Sequence, residues 1–229
     1  MSTVLPSITL QTGPEPRYSI IWLHGLGADG SDFVPVAEAM HLPAAVRYIF
    51  PHAPKRPVTI NGGFVMRAWY DILASADSAE ISDNIGRMED GAGILASQVE
   101  IEKLIAQERQ RGIEASHIFL AGFSQGGAVV LYSGLRHAER LGGFIALSTY
   151  LPLAGSTATE MNEAATGTPI FMAHGQYDPV VPYTLGKDSC GKLRQLGHTP
   201  EWHEYAMPHS VCQDEIDDIE KWLTQRMKD

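Results

Sequence analysis

The feature that most constrains the fold of this chain is a glycine-flanked serine between a strand-like and a helix-like segment. The apolar run at residues 117–121 leads into GFSQG at residues 122–126, and residues 127–132 can continue as a helix. A serine at the apex of so sharp a turn has a strained backbone, and side chains in place of the glycines would clash with the neighbouring strand and helix. The pattern predicts a nucleophile elbow that exposes Ser124 at the end of a sheet. The alternative is an ordinary glycine turn that carries a solvated serine.

Strand-like and helix-like segments alternate along the rest of the chain. Most of the strand-like runs are continuously apolar, as in parallel strands that are covered on both faces. The alternation predicts an α/β protein with a mainly parallel, doubly wound sheet and helices on both faces. Residues 4–10 are expected to add an antiparallel edge strand. The other expected strands are residues 18–23, 46–50, 117–121, 143–148, 170–173 and 201–205, and the expected helices are residues 32–40, 88–111, 125–136, 183–196 and 213–227.

Length, composition and charge bound the organisation of the chain. A chain of 229 residues, 44% of them hydrophobic, can bury one large core. No linker-like segment divides it, which predicts a single domain over residues 1–229. The net charge of -10 argues against nucleic acid and anionic membrane surfaces as partners, because both select basic patches. The acidic run at residues 214–220 is expected to solvate the first turns of the last helix.

Targeting signals and cysteine usage predict a cytoplasmic protein. The first residues contain neither a basic region nor a long apolar stretch, so no signal peptide is expected. No run reaches the ~20 apolar residues of a membrane span, so no stable membrane insertion is expected. Cys190 and Cys212 lack metal-binding spacing and fit reduced thiols, although the sequence leaves a disulfide between them open.

A serine nucleophile needs a general base, and the order of the predicted elements selects His209. Active sites in open α/β sheets lie at the carboxyl ends of the strands. His209 follows the last strand-like run and precedes the last helix, and it comes after Ser124 in the chain, as the base of an α/β-hydrolase does. Among the other histidines, His117 opens a predicted strand and His203 lies within one. The alternative for His209 is a solvated loop histidine.

The acid that orients the base should lie between the serine and the histidine, again directly after a strand. Asp178 follows the strand-like run at residues 170–173 and meets this condition. Its carboxylate would hold the imidazole tautomer and stabilise the imidazolium that forms during attack. Asp188 in a predicted helix and Glu163 in a loop without a preceding strand are weaker candidates. The alternative for Asp178 is an aspartate that caps a turn before proline.

The oxyanion of such a reaction needs hydrogen-bond donors, and backbone amides can supply them. A glycine-rich turn follows the first strong strand, at residues 23–27. The amide of Leu26 in this turn and the amide of Gln125 after the nucleophile are the predicted oxyanion hole. His24 is expected to order the turn by hydrogen bonding rather than to act as a second base.

Several stretches of the sequence carry a wider pattern in a fixed order over most of the chain. They are WLHGLGAD at residues 22–29, PHAP at 51–54, TINGG at 59–63, AWYDI at 68–72, AGFSQGGA at 121–128, ALSTYL at 146–151 and HGQYD at 174–178. With them the sequence resembles the carboxylesterase and acyl-protein thioesterase family of small serine hydrolases. The resemblance implies an α/β-hydrolase fold with a triad of Ser124, Asp178 and His209. It also implies Leu26 and Gln125 as the oxyanion donors.

The resemblance carries further expectations. Bacterial carboxylesterases are expected to be the closest match, and the family often forms homodimers. Neither a metal nor a cofactor is expected, because the triad needs none. The chain departs from the family at Pro208, where a glycine usually precedes the catalytic histidine. Because proline fixes φ and removes an N–H group, the histidine loop is expected to be stiffer than in the family or to be set slightly differently.

The region around the substrate is expected to be open. Many α/β-hydrolases carry a cap domain after the strand that follows the nucleophile helix, but here residues 152–168 leave no room for a large cap. The long stretch at residues 51–87 is predicted to be an irregular, partly mobile flap that forms an acyl groove. Within it, Trp69 and Asp71 are expected only to attach the flap to the core.

Three residues are candidates for the lining of that groove. Ile72 fits a groove position and a core position equally well. Tyr150 and Val180 are added by the resemblance alone. An open apolar groove suits single acyl chains of short to medium length better than triglyceride droplets.

These observations together predict a serine hydrolase that cleaves carboxylic esters through an acyl-enzyme intermediate. The alternatives that use the same machinery are an acyl-protein thioesterase and a lysophospholipase. A dienelactone-hydrolase type is disfavoured, because its elbow carries cysteine at the position of Ser124. A hydrolase-fold binding protein without activity is also disfavoured, because all three members of the triad are present.

Overall fold

A seven-stranded sheet forms the centre of the molecule. The computed structural model describes residues 4–74 and 87–227. The strands are β1 Ser7–Gln11, β2 Tyr18–Leu23, β3 Val46–Pro51, β4 Lys55–Val58, β5 Phe64–Arg67, β6 Ile72–Ala74, β7 Arg87–Glu89, β8 Ile118–Phe123, β9 Gly143–Leu147, β10 Ile170–Gly175 and β11 Glu201–Tyr205. The helices are α1 Val34–Ala39, α2 Gly91–Gln110, α3 Gln125–Arg136, α4 Ala154–Glu160, α5 Tyr183–Gln195 and α6 Gln213–Arg226. Short 3-10 turns lie at Thr59–Asn61, Ala115–His117 and Glu163–Ala165.

The strands of the central sheet lie in the order β1-β3-β2-β8-β9-β10-β11. β1 pairs antiparallel with β3, and the other neighbours are parallel. This confirms the mainly parallel α/β sheet and the antiparallel edge strand that the sequence predicts. The carboxyl ends of β2, β8, β9, β10 and β11 therefore meet at one edge of the sheet, which we call the carboxyl edge.

Helices cover both faces of the sheet, because side chains of successive strand residues point to opposite faces. One buried cluster combines Ile21 and Leu120 of the sheet with Ile101 of α2 and other residues of α2, α3 and α5. The second cluster combines Trp22 and Phe171 with residues of α1 and α6. Both clusters consist of near-completely buried apolar side chains, so the continuous apolar runs of the sequence are explained by burial on both faces.

The stretch at residues 51–87 is not irregular in its described part, and this prediction was wrong. β4 and β5 form an antiparallel hairpin, and β6 pairs antiparallel with β7. Gly62 and Gly63, with φ of 65° and 79°, form the turn of the first hairpin. Residues 75–86, on which part of the predicted flap falls, lie outside the described residues. α2 begins at Gly91 because the Asp90 side chain accepts a hydrogen bond from the Gly93 N–H at 2.8 Å and caps the helix.

Two other expectations about the surface are decided by the structure. The segment between β9 and β10 holds only the short α4 and a 3-10 turn, which confirms that no large cap interrupts the sheet there. In contrast, Glu215 of the acidic run is fully buried, so this member of the run does not solvate α6 as expected. None of the helices in the described ranges is both long enough and apolar enough to cross a membrane.

Candidate active site

Ser124 lies on the turn between β8 and α3, at the centre of the carboxyl edge. Its backbone has φ of 53° and ψ of -120°, a conformation that is strained for a residue other than glycine. The Ser124 N–H donates to the Leu147 carbonyl at 2.8 Å, and the Ser124 carbonyl accepts from the Thr149 hydroxyl at 2.7 Å. These bonds to the end of β9 hold the strained turn, so the structure has the strand, sharp turn and helix that the pentapeptide predicts.

The glycines beside Ser124 permit close backbone contacts. A Cβ atom on Gly126 would lie 2.5 Å from the Leu23 carbonyl oxygen, and one on Gly122 would lie 2.5 Å from the Gly126 carbonyl carbon. Distances this short are not tolerated between such atoms. Glycine at position 126 therefore lets the elbow approach β2, and glycine at position 122 lets the start of α3 approach the end of β8.

His209 and Asp178 form a hydrogen-bonded pair at the same edge, in which the carboxylate is buried and the imidazole is partly exposed. His209 Nδ1 lies 2.6 Å from Asp178 Oδ2, and the Asp178 side chain is 0% exposed, whereas that of His209 is 15% exposed. The other carboxylate oxygen, Oδ1, accepts from the N–H groups of Val180 and Val181 at 2.8 and 2.9 Å. Asp178 thus caps the turn before α5 with one oxygen and holds the imidazole with the other. With Nδ1 as the donor, Nε2 of His209 is left as an acceptor.

The elbow and the histidine loop contact each other through an aromatic pair. The Phe123 ring packs against the His209 imidazole with 4.6 Å between the ring centroids. The histidine loop also meets the loop of the acid, because the Tyr177 N–H donates to the Met207 carbonyl at 3.1 Å. The structure therefore brings the loops that carry Ser124, Asp178 and His209 together, as predicted from their positions after strands.

His174 is a buried neighbour of this pair that sequence reasoning missed. Its Nε2 donates to the Val181 carbonyl at 2.9 Å and lies 3.5 Å from Asp178 Oδ2. Burial lowers the pKa of His174, so the ring is neutral at neutral pH. Its place within β10, four residues before Asp178, is the one signal in the sequence that could have indicated it.

The predicted oxyanion turn lies directly beside the nucleophile. A Cβ atom on Gly25 would be 3.5 Å from the Cβ of Ser124. The Gly27 N–H donates to the Arg67 carbonyl at 2.9 Å, which attaches the turn to β5. Leu26 in this turn and Gln125 at the start of α3 follow the paired strand ends Leu23 and Gly122. The two predicted donors thus come from neighbouring strands.

His24 orders this turn, as the sequence predicts. Its Nδ1 donates to the Gly25 carbonyl at 2.7 Å, and its Nε2 accepts from the Ala53 N–H at 3.1 Å. Both nitrogens are used, and burial lowers the pKa of His24. The ring is therefore a neutral structural group rather than a second base.

The Gln125 side chain has a role that sequence reasoning missed. It is buried, its Oε1 accepts from the Trp69 N–H at 2.8 Å, and its Nε2 donates to the Tyr70 carbonyl at 2.7 Å. The Tyr70 hydroxyl in turn lies 2.9 Å from the hydroxyl of Tyr150. The elbow thus holds the segment that leads from β5 to β6.

Tyr150 and Val180 follow strands that end at this edge, whereas Ile72 begins β6, outside the central sheet. Tyr150 follows β9 and contacts Tyr70, two residues before Ile72. Val180 follows the acid and is 47% exposed. Two grooves of about 560 and 620 Å³ are lined by none of the predicted site residues, although Trp69 lines the first of them. In the described ranges, no group of three or more histidine, cysteine or acidic side chains could hold a metal ion.

Known proteins that are similar to this chain are named as esterases or thioesterases, the class of enzyme that the sequence predicts. The sequence model of the phospholipase/carboxylesterase family matches residues 8–227. Acyl-protein thioesterase 1 of Neurospora crassa is 43% identical over 215 residues, which cover 91% of this chain and 86% of that protein. The crystal structure of SOBER1 of Arabidopsis thaliana has a TM-score of 0.84 at 33% identity and covers 93% of this chain and all of that one. Acyl-protein thioesterase 2 of Zea mays has a TM-score of 0.81 at 28% identity over 96% of this chain and 99% of that one.

These relatives correct one expectation. The curated proteins that match include fungal acyl-protein thioesterases and a carboxylesterase of Arabidopsis thaliana at 34% identity. The expectation that bacterial carboxylesterases are the closest match is therefore not supported.

Proposed function

The chain belongs to the phospholipase/carboxylesterase family, and on that premise we propose that Ser124, His209 and Asp178 form the catalytic triad of an ester and thioester hydrolase with the α/β-hydrolase fold. The observation that carries this proposal is the hydrogen bond of 2.6 Å between His209 and Asp178, beside a serine with a strained backbone. A glycine turn that only began a helix would not need the strained backbone of Ser124. An aspartate that only capped a turn would not need an imidazole partner.

In the proposed reaction the hydroxyl of Ser124 attacks the acyl carbon while Nε2 of His209 takes its proton. Asp178 accepts from Nδ1, which fixes the tautomer and stabilises the imidazolium that forms. The amides of Leu26 and Gln125 donate to the oxyanion of the tetrahedral intermediate. His209 then protonates the leaving alcohol or thiol, and the acyl group remains on Ser124.

The second half of the reaction uses the same groups with water as the nucleophile. His209 takes a proton from water, which attacks the acyl-enzyme and forms a second tetrahedral intermediate at the same amides. Collapse of that intermediate releases the acid and returns the proton to Ser124. No metal or cofactor is required by these steps.

The substrates we propose are esters with one acyl chain of short to medium length. The proposed contacts of the acyl chain are Ile72, Tyr150 and Val180. Because no large cap lies between β9 and β10, the carboxyl edge is accessible to a bulky leaving group on that side. The second candidate is a protein acyl thioester, favoured by the names of the relatives from Neurospora crassa and Zea mays. A lysophospholipid is the third candidate, because its acyl ester presents the same reacting carbon.

The test is a series of p-nitrophenyl esters of increasing chain length, with Ser124→Ala as the critical variant. Loss of a triad serine can reduce kcat by ~10⁶, so no turnover above background is expected. Ser156→Ala in α4 is the control and should retain wild-type turnover. A Ser124→Ala protein that still turns over would refute the mechanism, and a wild type that binds esters without hydrolysis would indicate a binding protein. Matched O-acylated and S-acylated peptides then rank ester against thioester.

We further propose the cytoplasm as the compartment and one domain over residues 1–229. Cys190 and Cys212 are both free thiols, which fits a reducing compartment. The family match from residue 8 to residue 227 supports the single domain. The homodimer implied by the resemblance stays a prediction, which sedimentation equilibrium can test.

A further inference from the structure

We propose that Trp69 and the side chain of Gln125 form a brace that sets the distance between the two halves of the oxyanion hole. This proposal rests on the proposed function, because it concerns the amides of Leu26 and Gln125. Trp69 and the Gln125 side chain are positioning residues in it, since neither side chain touches the reacting atoms. We call this pair the oxyanion brace.

The first half of the brace runs from the elbow to Trp69. Gln125 is 3% exposed, and its carboxamide pairs with the backbone on both sides, at 2.8 Å from the Trp69 N–H and 2.7 Å to the Tyr70 carbonyl. Because Oε1 accepts one hydrogen bond and Nε2 donates the other, the orientation of the carboxamide is fixed. They therefore also restrain the backbone of Gln125, whose N–H is the proposed donor.

The second half runs from Trp69 to the other oxyanion turn. The indole Nε1 donates to the His24 carbonyl at 2.9 Å, and the indole lies 5.3 Å from the His24 imidazole between ring centroids. Trp69 is 0% exposed, and its own carbonyl accepts a hydrogen bond from Ser97 of α2. The indole is thus anchored, and it holds the residue that precedes the Gly25–Gly27 turn.

The consequence is a connection between two segments that belong to different strands. One proposed donor, Leu26, follows β2, and the other, Gln125, follows β8. Trp69 donates to the carbonyl of His24, two residues before Leu26, and to the side chain of Gln125. Oxyanion donors are effective when they lie about 2.7–3.1 Å from the position of the oxyanion. A displacement of about 1 Å in such a site can cost roughly a hundredfold in rate. Trp69 therefore contributes to turnover through position, in addition to its packing in the core.

Trp69→Phe tests the brace, because phenylalanine keeps an aromatic ring but loses the indole N–H. Active sites are first titrated with a fluorophosphonate, so that kcat refers to active molecules only. We expect kcat to fall about tenfold, while KM stays within about twofold of wild type. A trifluoromethyl ketone forms a tetrahedral adduct with Ser124, and its Ki should rise by the same factor as kcat/KM falls. Trp222→Phe is the matched control: Trp222 is also buried and also donates one indole hydrogen bond, to Glu201 at 3.0 Å.

A purely structural role for Trp69 gives a different result. Trp69→Phe would then lower the melting temperature or the titrated fraction, as Trp222→Phe does, while kcat per titrated site stays within about twofold of wild type. That result would overturn the brace. Should Trp69→Phe not fold, Gln125→Met keeps the tryptophan, removes the other half of the brace, and carries the same expectation and the same refutation. Failure of the brace leaves the effect of Ser124→Ala intact, whereas failure of the proposed function does not.

Discussion

Replacing Glu215 by glutamine should make the protein more stable, and the gain should grow with pH. Glu215 lies in the first turn of α6 and is fully buried, and neither carboxylate oxygen has a hydrogen-bond partner within the described residues. Burial raises the pKa of this carboxyl to about 8 from its ordinary value of 4.5, and the nearby Cys212 amide opposes the rise without cancelling it. The folded protein therefore holds a proton that the unfolded chain releases.

The sign and the size of the effect follow from this difference in pKa. Below about pH 4.5 the carboxyl is protonated in both states, and its contribution to stability is fully present. Between that pH and about pH 8 only the unfolded chain ionises, so the free energy of unfolding falls by ~1.4 kcal/mol per pH unit. The accumulated loss is ~3 kcal/mol at pH 7, and it levels off above pH 8. Glutamine does not titrate, so the variant is free of this loss.

The assay is urea unfolding of wild type and Glu215→Gln from about pH 5 to pH 9 at constant ionic strength. The difference in free energy of unfolding should increase steadily up to about pH 8 and then become constant. Asp214→Asn is the control, because Asp214 is exposed in the same turn and reports the helix-dipole effect of a lost charge, typically below ~1 kcal/mol. If the curves of wild type and Glu215→Gln run parallel over this range, the carboxyl is not protonated in the folded state and the reasoning fails.

Two further substitutions test the site and the elbow. Asp178→Asn should reduce kcat by ~10⁴ in the p-nitrophenyl ester assay, whereas Asp188→Asn in α5 should have little effect. A larger loss of kcat from Asp188→Asn would mean that the acid is misassigned. Gly126→Ala should destabilise the fold by ~3 kcal/mol or more in urea unfolding, because its Cβ would lie 2.5 Å from the Leu23 carbonyl oxygen. The control is Gly155→Ala in α4, whose Cβ would meet nothing within 4 Å and which should be neutral or slightly stabilising. Equal effects of the two substitutions would contradict the close approach of the elbow to β2.

The elbow and the strands of the central sheet are predictable from the sequence because both depend on short-range physics. Strands that are covered on both faces must be apolar throughout, and a strained serine turn between strand and helix needs glycine on either side. Once the strands are recognised, their carboxyl ends define where the remaining groups lie. That rule, together with the order of serine, acid and histidine along the chain, leads to Asp178 and His209, which the structure places 2.6 Å apart.

Pairings between a side chain and a distant backbone group leave no such pattern. The partners of the Gln125 carboxamide are an amide and a carbonyl more than fifty residues earlier in the chain, and any residue would supply these groups. The strand pairs β4-β5 and β6-β7 are also hard to predict, because strands of three or four residues are too short for a periodic pattern. The glycine pair at residues 62 and 63 is the one local signal for the first of them.

The expectation that Glu215 is solvated is wrong for a different reason: it rests on the composition of the acidic run and not on the spacing of its residues along the helix. The run at residues 214–220 contains five acidic residues, which favours a solvated helix. Glu215 nevertheless precedes the buried Ile219 by four residues and therefore lies on the same helix face. The periodicity that predicts the apolar face of α6 also predicts that this carboxyl is turned toward the core.

The pentapeptide with the nucleophile is more than a turn with an exposed serine, because neighbouring positions in it contact different parts of the molecule. The contacts are Phe123 with the ring of His209, Ser124 with the hydroxyl of Thr149, the Gln125 side chain with Trp69, and Gly126 with the carbonyl of Leu23. The partners come from the histidine loop, the end of β9, the segment after β5 and the end of β2. A change at any of these positions therefore displaces a different wall of the site, and no single substitution in the pentapeptide is expected to affect the serine alone.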